Sequence, residues 1–268
     1  MKLALAQMAV EPAAVESNLD RALAQVASAA ADGADLVALP EIFDVGYFAF
    51  DNYDRVAQGL DGERLAHVAA AADEHGIAVL AGSVVEDLTA SREAGFETPV
   101  PEGLANTSVL FDSSGTRRAV YRKRHLFGYG SAESELLVPG ESTATAEIGD
   151  HIVGMTTCYD LRFPEQYRRL ADAGATLVLV PSAWPYPRVE HWRLLPRARA
   201  VENLTYVAAV NGVGAFEDAE LLGRSAVYDP WGTTLASAGD HPATVTADVD
   251  RERVDAVRNE FPALEDRR

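Results

Sequence analysis

Cysteine is nearly absent from this chain. Cys158 is the single cysteine in 268 residues, so no intramolecular disulfide can form and no cysteine-rich zinc site can be built. A lone thiol fits a reducing compartment, and a cytoplasmic location is expected. Lysine is almost as scarce. Lys2 and Lys123 are the only two, and arginine supplies the rest of the 23 basic side chains. Against these stand 41 aspartates and glutamates, for a formal net charge of −18 at pH 7. Such a chain offers no basic footprint for nucleic-acid phosphates or for an anionic membrane surface. Its lysine-poor acidity has two readings, a GC-rich genome or adaptation to high salt, where acidic surfaces stay solvated and their repulsion is screened. No apolar run approaches the roughly 20 residues of a membrane span. The opening MKLALAQMAVEPAAVE is broken by polar residues and is too short for a secretory signal.

What is present is ordinary globular composition, with 48% hydrophobic and 24% charged residues, enough for a sizeable core. Residues 2–10 read as a first strand. Ser17 is placed to cap a helix through about residue 31, with Asp20 completing an approximate capping box. Leu36–Leu39 is a buried apolar strand closed by Pro40-Glu41. Asp61 stands at the head of a second helix that runs to His75 and stops at Gly76. Residues 77–85 form a strand and 88–103 a polar surface loop. The segments 106–112 and 116–123 flank an SSG turn, which predicts a hairpin. A strand over 152–157 runs into Cys158. Then follow a helix over 164–173, a strand over 177–181, and a helix over 189–203 that Pro196 should kink or split. Strands in 205–211, 224–232 and 233–238, the last two joined by a turn at Asp229-Pro230-Trp231-Gly232, and a polar helix over 250–261 complete the pattern.

No linker interrupts this order, so 1–268 reads as a single domain of α/β class. Residues 30–43 (AADGADLVALPEIF) and 171–184 (ADAGATLVLVPSAW) echo one another: helix end, Gly, apolar strand, Pro at the exit. The echo suggests two similar halves whose sheets face each other, with helices outside.

Three residues at strand exits could carry chemistry, since sites in sheet folds collect there. Cys158 stands where a strand gives way to a helix, the position of a nucleophile elbow. A free thiol is more often a buried structural residue, but the polar, aromatic sequence that follows it suits a site lining. A cysteine nucleophile needs a base, because its ordinary pKa of about 8.5 leaves little thiolate at neutral pH. Histidine is the usual base, and His125 and His191 are the two near other candidates. Glu41 is the second choice, at the mouth of its own strand. Lys123, retained in a chain that otherwise uses arginine, suggests that a compact ammonium is needed there. Together they make a coherent set. Glu41 takes the thiol proton, Cys158 attacks a carbon bonded to nitrogen, and Lys123 with the Tyr159 N–H holds the oxyanion.

LPEIF (39–43), YRKRHLF (121–127) and CYDLRFPE (158–165) resemble the three signature segments of the nitrilase superfamily, the carbon–nitrogen hydrolases. RARAVENLTYVAAVN (197–211) and GRSAVYDPWG (223–232) resemble its later segments. The resemblance implies a four-layer α-β-β-α sandwich that dimerises through outer helices. It implies a Glu-Lys-Cys triad at Glu41, Lys123 and Cys158, working without metal or cofactor. The family's additional glutamate best matches Glu133, with Glu135 as rival. CYDLRFPE and AWPYPRVEHW (183–192) look most like the branch of amidases for small carboxylate-bearing amides, such as omega-amidases and deaminated glutathione amidases. In that light Arg162 binds a substrate carboxylate or forms a structural ion pair. Tyr47, Tyr159 and Trp184 are pocket walls or ordinary core, and His125 buttresses the site. The segment after HLF lacks the acidic residue expected there. The expected partner is a small amide; N-carbamoyl compounds and nitriles are alternatives for the same triad. A catalytically silent scaffold and a Cys–His enzyme are alternatives of other kinds.

Overall fold

The computed structural model describes residues 1–129, 131–217 and 219–267. In chain order the first half runs β1 (Lys2–Gln7), α1 (Val15–Ala31), β2 (Leu36–Ala38), α2 (Tyr53–Val56), α3 (Glu63–His75), β3 (Ala78–Asp87), α4 (Leu88–Glu93), β4 (Leu104–Phe111) and β5 (Arg117–Arg122). The second runs α5 (Glu133–Leu136), β6 (Ala144–Ile148), β7 (His151–Met155), α6 (Pro164–Asp172), β8 (Leu177–Ser182), α7 (Val189–Asn203), β9 (Tyr206–Asn211), β10 (Val213–Phe216), β11 (Ala219–Leu222), β12 (Ala226–Tyr228), β13 (Thr234–Ser237), β14 (Ala243–Asp248) and α8 (Arg251–Glu260).

Two six-stranded sheets carry the fold, ordered β14-β1-β2-β3-β4-β5 and β13-β12-β9-β8-β7-β6. Strand periodicity explains how they stack. Leu3 and Leu5 of β1 point inward and pack with Leu36, Leu80, Leu177, Leu179 and Val210 between the sheets. Their neighbours Ala4 and Ala6 point outward, where α1 and α3 cover them with Val26, Ala29, Leu65 and Val68. The same alternation in the second sheet sends Val178, Val180 and Val207 outward under Tyr167 of α6 and Trp192 of α7. The result is the expected α-β-β-α sandwich. The echoed segments become β2 and β8, interior strands of the two sheets, each with parallel neighbours.

Several local expectations are corrected. α1 begins at Val15 behind Ala14, and Ser17 is not its cap. Asn18 fixes that entry instead, bonding both the N–H and the carbonyl of Glu11. Likewise α3 begins after Gly62, and the Gln58 side chain, not Asp61, accepts from the Arg64 N–H at 3.2 Å. β1 ends at Gln7, because the chain then turns toward Val213, with the Met8 carbonyl accepting from the Val213 N–H and the Val10 N–H donating to the Val213 carbonyl. The loop over 88–103 opens with α4, capped by Asp87 on the Thr89 and Ala90 N–H groups. α7 stays one helix through Pro196, whose buried face with Trp192, Arg199 and Ala200 outweighs the lost backbone bond. The short strands β6, β10, β11 and β14 were not foreseen. β14 lies antiparallel to β1, with Lys2 opposite Asp248.

Candidate active site

Four strand exits meet at one end of the sandwich. Glu41 follows β2, Lys123 follows β5, Cys158 follows β7, and Ala183 follows β8. The turn that presents Glu41 is seated on Gly82, in the bulge of β3, where a Cβ would run into the Pro40 carbonyl. Ile42 in that turn has φ +45° and is held by a bond from its N–H to Ser83 Oγ at 2.9 Å. Glu41 then meets the other half of the molecule, since the Ala183 N–H donates to its Oε2 at 2.8 Å. The two echoed segments thus face each other at the site.

Lys123 is fully enclosed. Its Nζ lies 2.8 Å from Glu41 Oε1, and 2.7 and 3.0 Å from the two oxygens of Glu133. Glu133, on the first turn of α5, also accepts from the Tyr47 hydroxyl at 2.9 Å and from the Phe127 N–H at 2.6 Å. Asn106 joins the two carboxylates, its Nδ2 donating to Glu41 Oε1 at 2.9 Å and to Glu133 Oε1 at 3.2 Å. Of the two rival glutamates, Glu133 is enclosed beside Lys123 and Glu135 is exposed.

The Cys158 thiol lies beside Glu41 and the Ala183 N–H. Cys158 has φ +45°, a conformation costly for any residue with a Cβ, and it opens a 3-10 turn over Cys158–Arg162. Asp160 locks that turn. Its carboxylate accepts from the Thr157 N–H at 2.9 Å, the Tyr121 hydroxyl at 2.6 Å and the His125 N–H at 3.1 Å, while His125 Nδ1 lies 2.6 Å away. His125 stacks on Phe163 with ring centroids 3.8 Å apart. It therefore buttresses the elbow.

Electrostatics follow from enclosure. Burial pushes the Cys158 thiol well above its usual value, and the Glu41 charge pushes it further. Burial also raises the Glu41 carboxyl, with the Lys123 ammonium pulling the other way and Glu133 adding to the rise. Burial alone would lower Lys123, yet Glu133 and then Glu41 outweigh it and hold the ammonium well above its usual value. Enclosure thus favours the protonated thiol and the charged lysine, and it raises the basicity of the Glu41 carboxyl between them.

The carbon–nitrogen hydrolase family matches residues 2–259. The chain belongs to that family. It is 36% identical over 241 residues to the 2-oxoglutaramate amidase of Paenarthrobacter nicotinovorans, covering 88% of this chain and 79% of that one. It is 34% identical to an omega-amidase of Xenopus tropicalis, covering 100% and 95% of the two chains. Among solved structures it superposes with TM-score 0.85 and 29% identity on an amidase mutant from Nesterenkonia sp. AN1, covering 100% and 94% of the two chains. That mutant carries the acetamide moiety of fluoroacetamide at its active site cysteine.

In this carbon–nitrogen hydrolase a cavity of about 270 Å3 opens onto Cys158 and Lys123. Tyr47, Tyr159, Arg162 and Trp184, all anticipated from the sequence, line it. Tyr47 also holds Glu133. Arg162 makes no ion pair with an acid among the described residues; its Nη2 donates to His191 Nδ1 at 3.1 Å, and its guanidinium lies over Tyr159 and Trp184. No described residue lining the cavity is a histidine, and the carboxyl group beside the thiol is that of Glu41. No group of three or more His, Cys, Asp or Glu among the described residues is placed to hold a metal ion. Asn106, the Ala183 and Phe127 N–H groups, and the role of Asp160 were missed. Only Asn106 left a signal, an amide at the head of the segment NTSVLFD, 17 residues before Lys123.

Proposed function

We propose that this protein is an amidase that releases ammonia from small carboxylate-bearing amides through a thioester on Cys158. The observation that carries this reading is the enclosed Lys123 ammonium, shared between Glu41 and Glu133 beside the thiol. Glu41 takes the thiol proton as Sγ attacks the amide carbon. Sγ–C forms, and the carbonyl π pair moves to oxygen. Lys123 and the Tyr159 N–H hold the resulting oxyanion. Such donors contribute about 3–4 kcal/mol each where they have been removed from other enzymes. Glu41 returns the proton to the nitrogen, the C–N bond breaks, and ammonia leaves. Water then enters, Glu41 takes its proton, and the hydroxide adds to the thioester. The tetrahedral adduct expels the thiolate, which regains its proton from Glu41 as the acid leaves. Glu133 holds Lys123 in place and keeps its charge.

The substrate class rests on Arg162, a guanidinium at the cavity without an acidic partner among the described residues, and on the relatives named above. We place the protein in the cytoplasm as one domain over 1–268 and as a homodimer. No described helix is long and apolar enough to cross a membrane. Exposed Leu194 and Val201 of α7, Trp231 and Phe261 support dimerisation through that outer face, with the Trp231 and Phe261 rings 5.8 Å apart.

Ammonia release by the wild type and Cys158→Ala tests the reading on 2-oxoglutaramate, 2-oxosuccinamate, butyramide, carbamoyl amino acids and nitriles. Release confined to the carboxylate-bearing amides and lost in the mutant is expected. Release only from carbamoyl compounds or nitriles would move the substrate class. No release from any, with a thiol of ordinary reactivity, would favour a silent scaffold.

A further inference from the structure

The cavity is the reverse of the rest of the molecule. The chain carries 41 acidic side chains against 23 basic ones, yet no described residue lining the cavity is acidic. Its ionic lining is Lys123, Arg162 and Arg188. Lys123 is already neutralised by Glu41 and Glu133, so the charge facing a ligand comes from the two guanidiniums. Of the other arginines, buried Arg64 and Arg199 pair with Asp44 and Glu202, whereas half-buried Arg124, Arg168 and Arg258 spend their N–H groups on Gln166 and on backbone carbonyls away from the cavity wall. Neither Arg162 nor Arg188 has an acidic partner among the described residues.

Arg188 is held by its backbone. It sits just before α7, its N–H donates to the Pro185 carbonyl at 3.3 Å, and its carbonyl accepts from Trp184 Nε1 at 3.1 Å and from the Trp192 N–H at 3.1 Å. Its guanidinium lies over the Phe127 ring, 5.5 Å from the centroid. Arg162 is seated in the same way on Tyr159 and Trp184. An aromatic face beneath a guanidinium occupies its plane and leaves the N–H groups at its rim to donate; Arg162 gives one of them to His191 and keeps the others. Two such forks on one small cavity fit an anion better than a neutral ligand.

We propose that Arg188 is a second specificity-determining residue, which with Arg162 clamps the carboxylate end of the substrate while the amide end lies at Cys158. The proposal rests on the substrate reading above. It makes anion selection a property of two elements, the turn after Cys158 and the loop before α7. The family triad supplies neither guanidinium.

The test compares wild type, Arg188→Ala and Arg188→Lys on 2-oxoglutaramate and on butyramide, which lacks the carboxylate. The quantity read is the ratio of kcat/KM for the two. Arg188→Ala is expected to lower that ratio at least tenfold, chiefly through KM for 2-oxoglutaramate. Arg188→Lys should restore part of it, since charge returns without the fork. A ratio within twofold of wild type in Arg188→Ala overturns the proposal, as does an equal loss on both substrates, which would mark a structural role. Should Arg188→Ala fail to fold, the ratio in Arg188→Lys decides, and an unchanged ratio there overturns it. A wild type active on butyramide but not on 2-oxoglutaramate overturns the substrate reading itself, and is told apart because it needs no mutant.

Discussion

The Lys123 ammonium lies 2.7 Å from Glu133 Oε1, and both side chains are sealed from solvent. With Glu41 on the other side, the lysine is triangulated, so its charge is fixed in place before a substrate arrives. Preorganised charge of this kind needs no reorganisation as an oxyanion forms.

Glu133→Gln should therefore cost more in turnover than in binding. The amide keeps the shape but removes one of the two charges balancing Lys123. A fall in kcat of at least 100-fold with KM within fivefold is the expected kinetic result. Glu133→Ala should also lose about 3–5 kcal/mol of stability, the usual result of breaking a buried pair. Steady-state kinetics and thermal melts check both.

Lys123→Arg keeps the charge and should still fail. The planar fork does not fit a space bounded at 2.7–2.8 Å by two carboxylates and needs room that the enclosed site lacks. Activity above about 1% of wild type would refute the requirement for a compact ammonium.

Cys158 offers a test that separates strain from chemistry. Its φ of +45° is unfavourable for any side chain. Both Cys158→Ala and Cys158→Gly should abolish turnover, but the glycine variant should be the more stable by about 1 kcal/mol. Denaturant melts of the two variants measure the difference, and a more stable alanine variant would argue against strain at the elbow.

The pH profile follows from Glu41. Only its carboxylate form can take the thiol proton, so activity is present above its pKa and lost as pH falls through it. Burial raises that pKa, with Glu133 adding to the rise against the pull of Lys123. The acid limb of kcat/KM should thus lie above the ordinary glutamate range. Lys123 is held well above its usual value, so no loss of its charge should appear through neutral and mildly alkaline pH. A limb at or below the ordinary carboxylate range would contradict the assignment.

Gly82 is remote in sequence from the triad but carries the turn that presents Glu41. A Cβ at this position, where φ is +21°, meets the Pro40 carbonyl. Gly82→Ala should displace that turn, cost about 1–3 kcal/mol as overpacking does, and depress kcat more than KM. Unaltered kcat with a lowered melting temperature would show that the turn relaxes without moving Glu41.

The sandwich was legible because its strands are continuous apolar runs and its helices end at glycines such as Gly76, in the left-handed region as a helix stop requires. Glu41, Lys123 and Cys158 were legible because each is a chemically unusual residue at a strand exit. Helix starts were less so. Ser17 and Asp61 have the right chemistry, but Asn18 and Gln58 do the bonding, a choice made by tertiary contacts that spacing does not encode. Asn106 and Asp160 were hidden for a related reason. Asn106 acts on Glu133 and Glu41, and Asp160, besides its local bond from Thr157, on His125 and Tyr121, all 27 or more positions away. Arg188 was lost among many arginines, since sequence does not show which of them line the cavity.

The pairing of β14 with β1 imposes an order on synthesis. From the moment β1 leaves the ribosome until residues 243–248 follow, one side of that strand has no ladder partner. Its unpaired N–H and C=O groups are a template for another nascent chain. Messages or proteolytic fragments that stop short of residue 243 would retain the triad in sequence yet release an open-edged sheet, so their expected fate is aggregation.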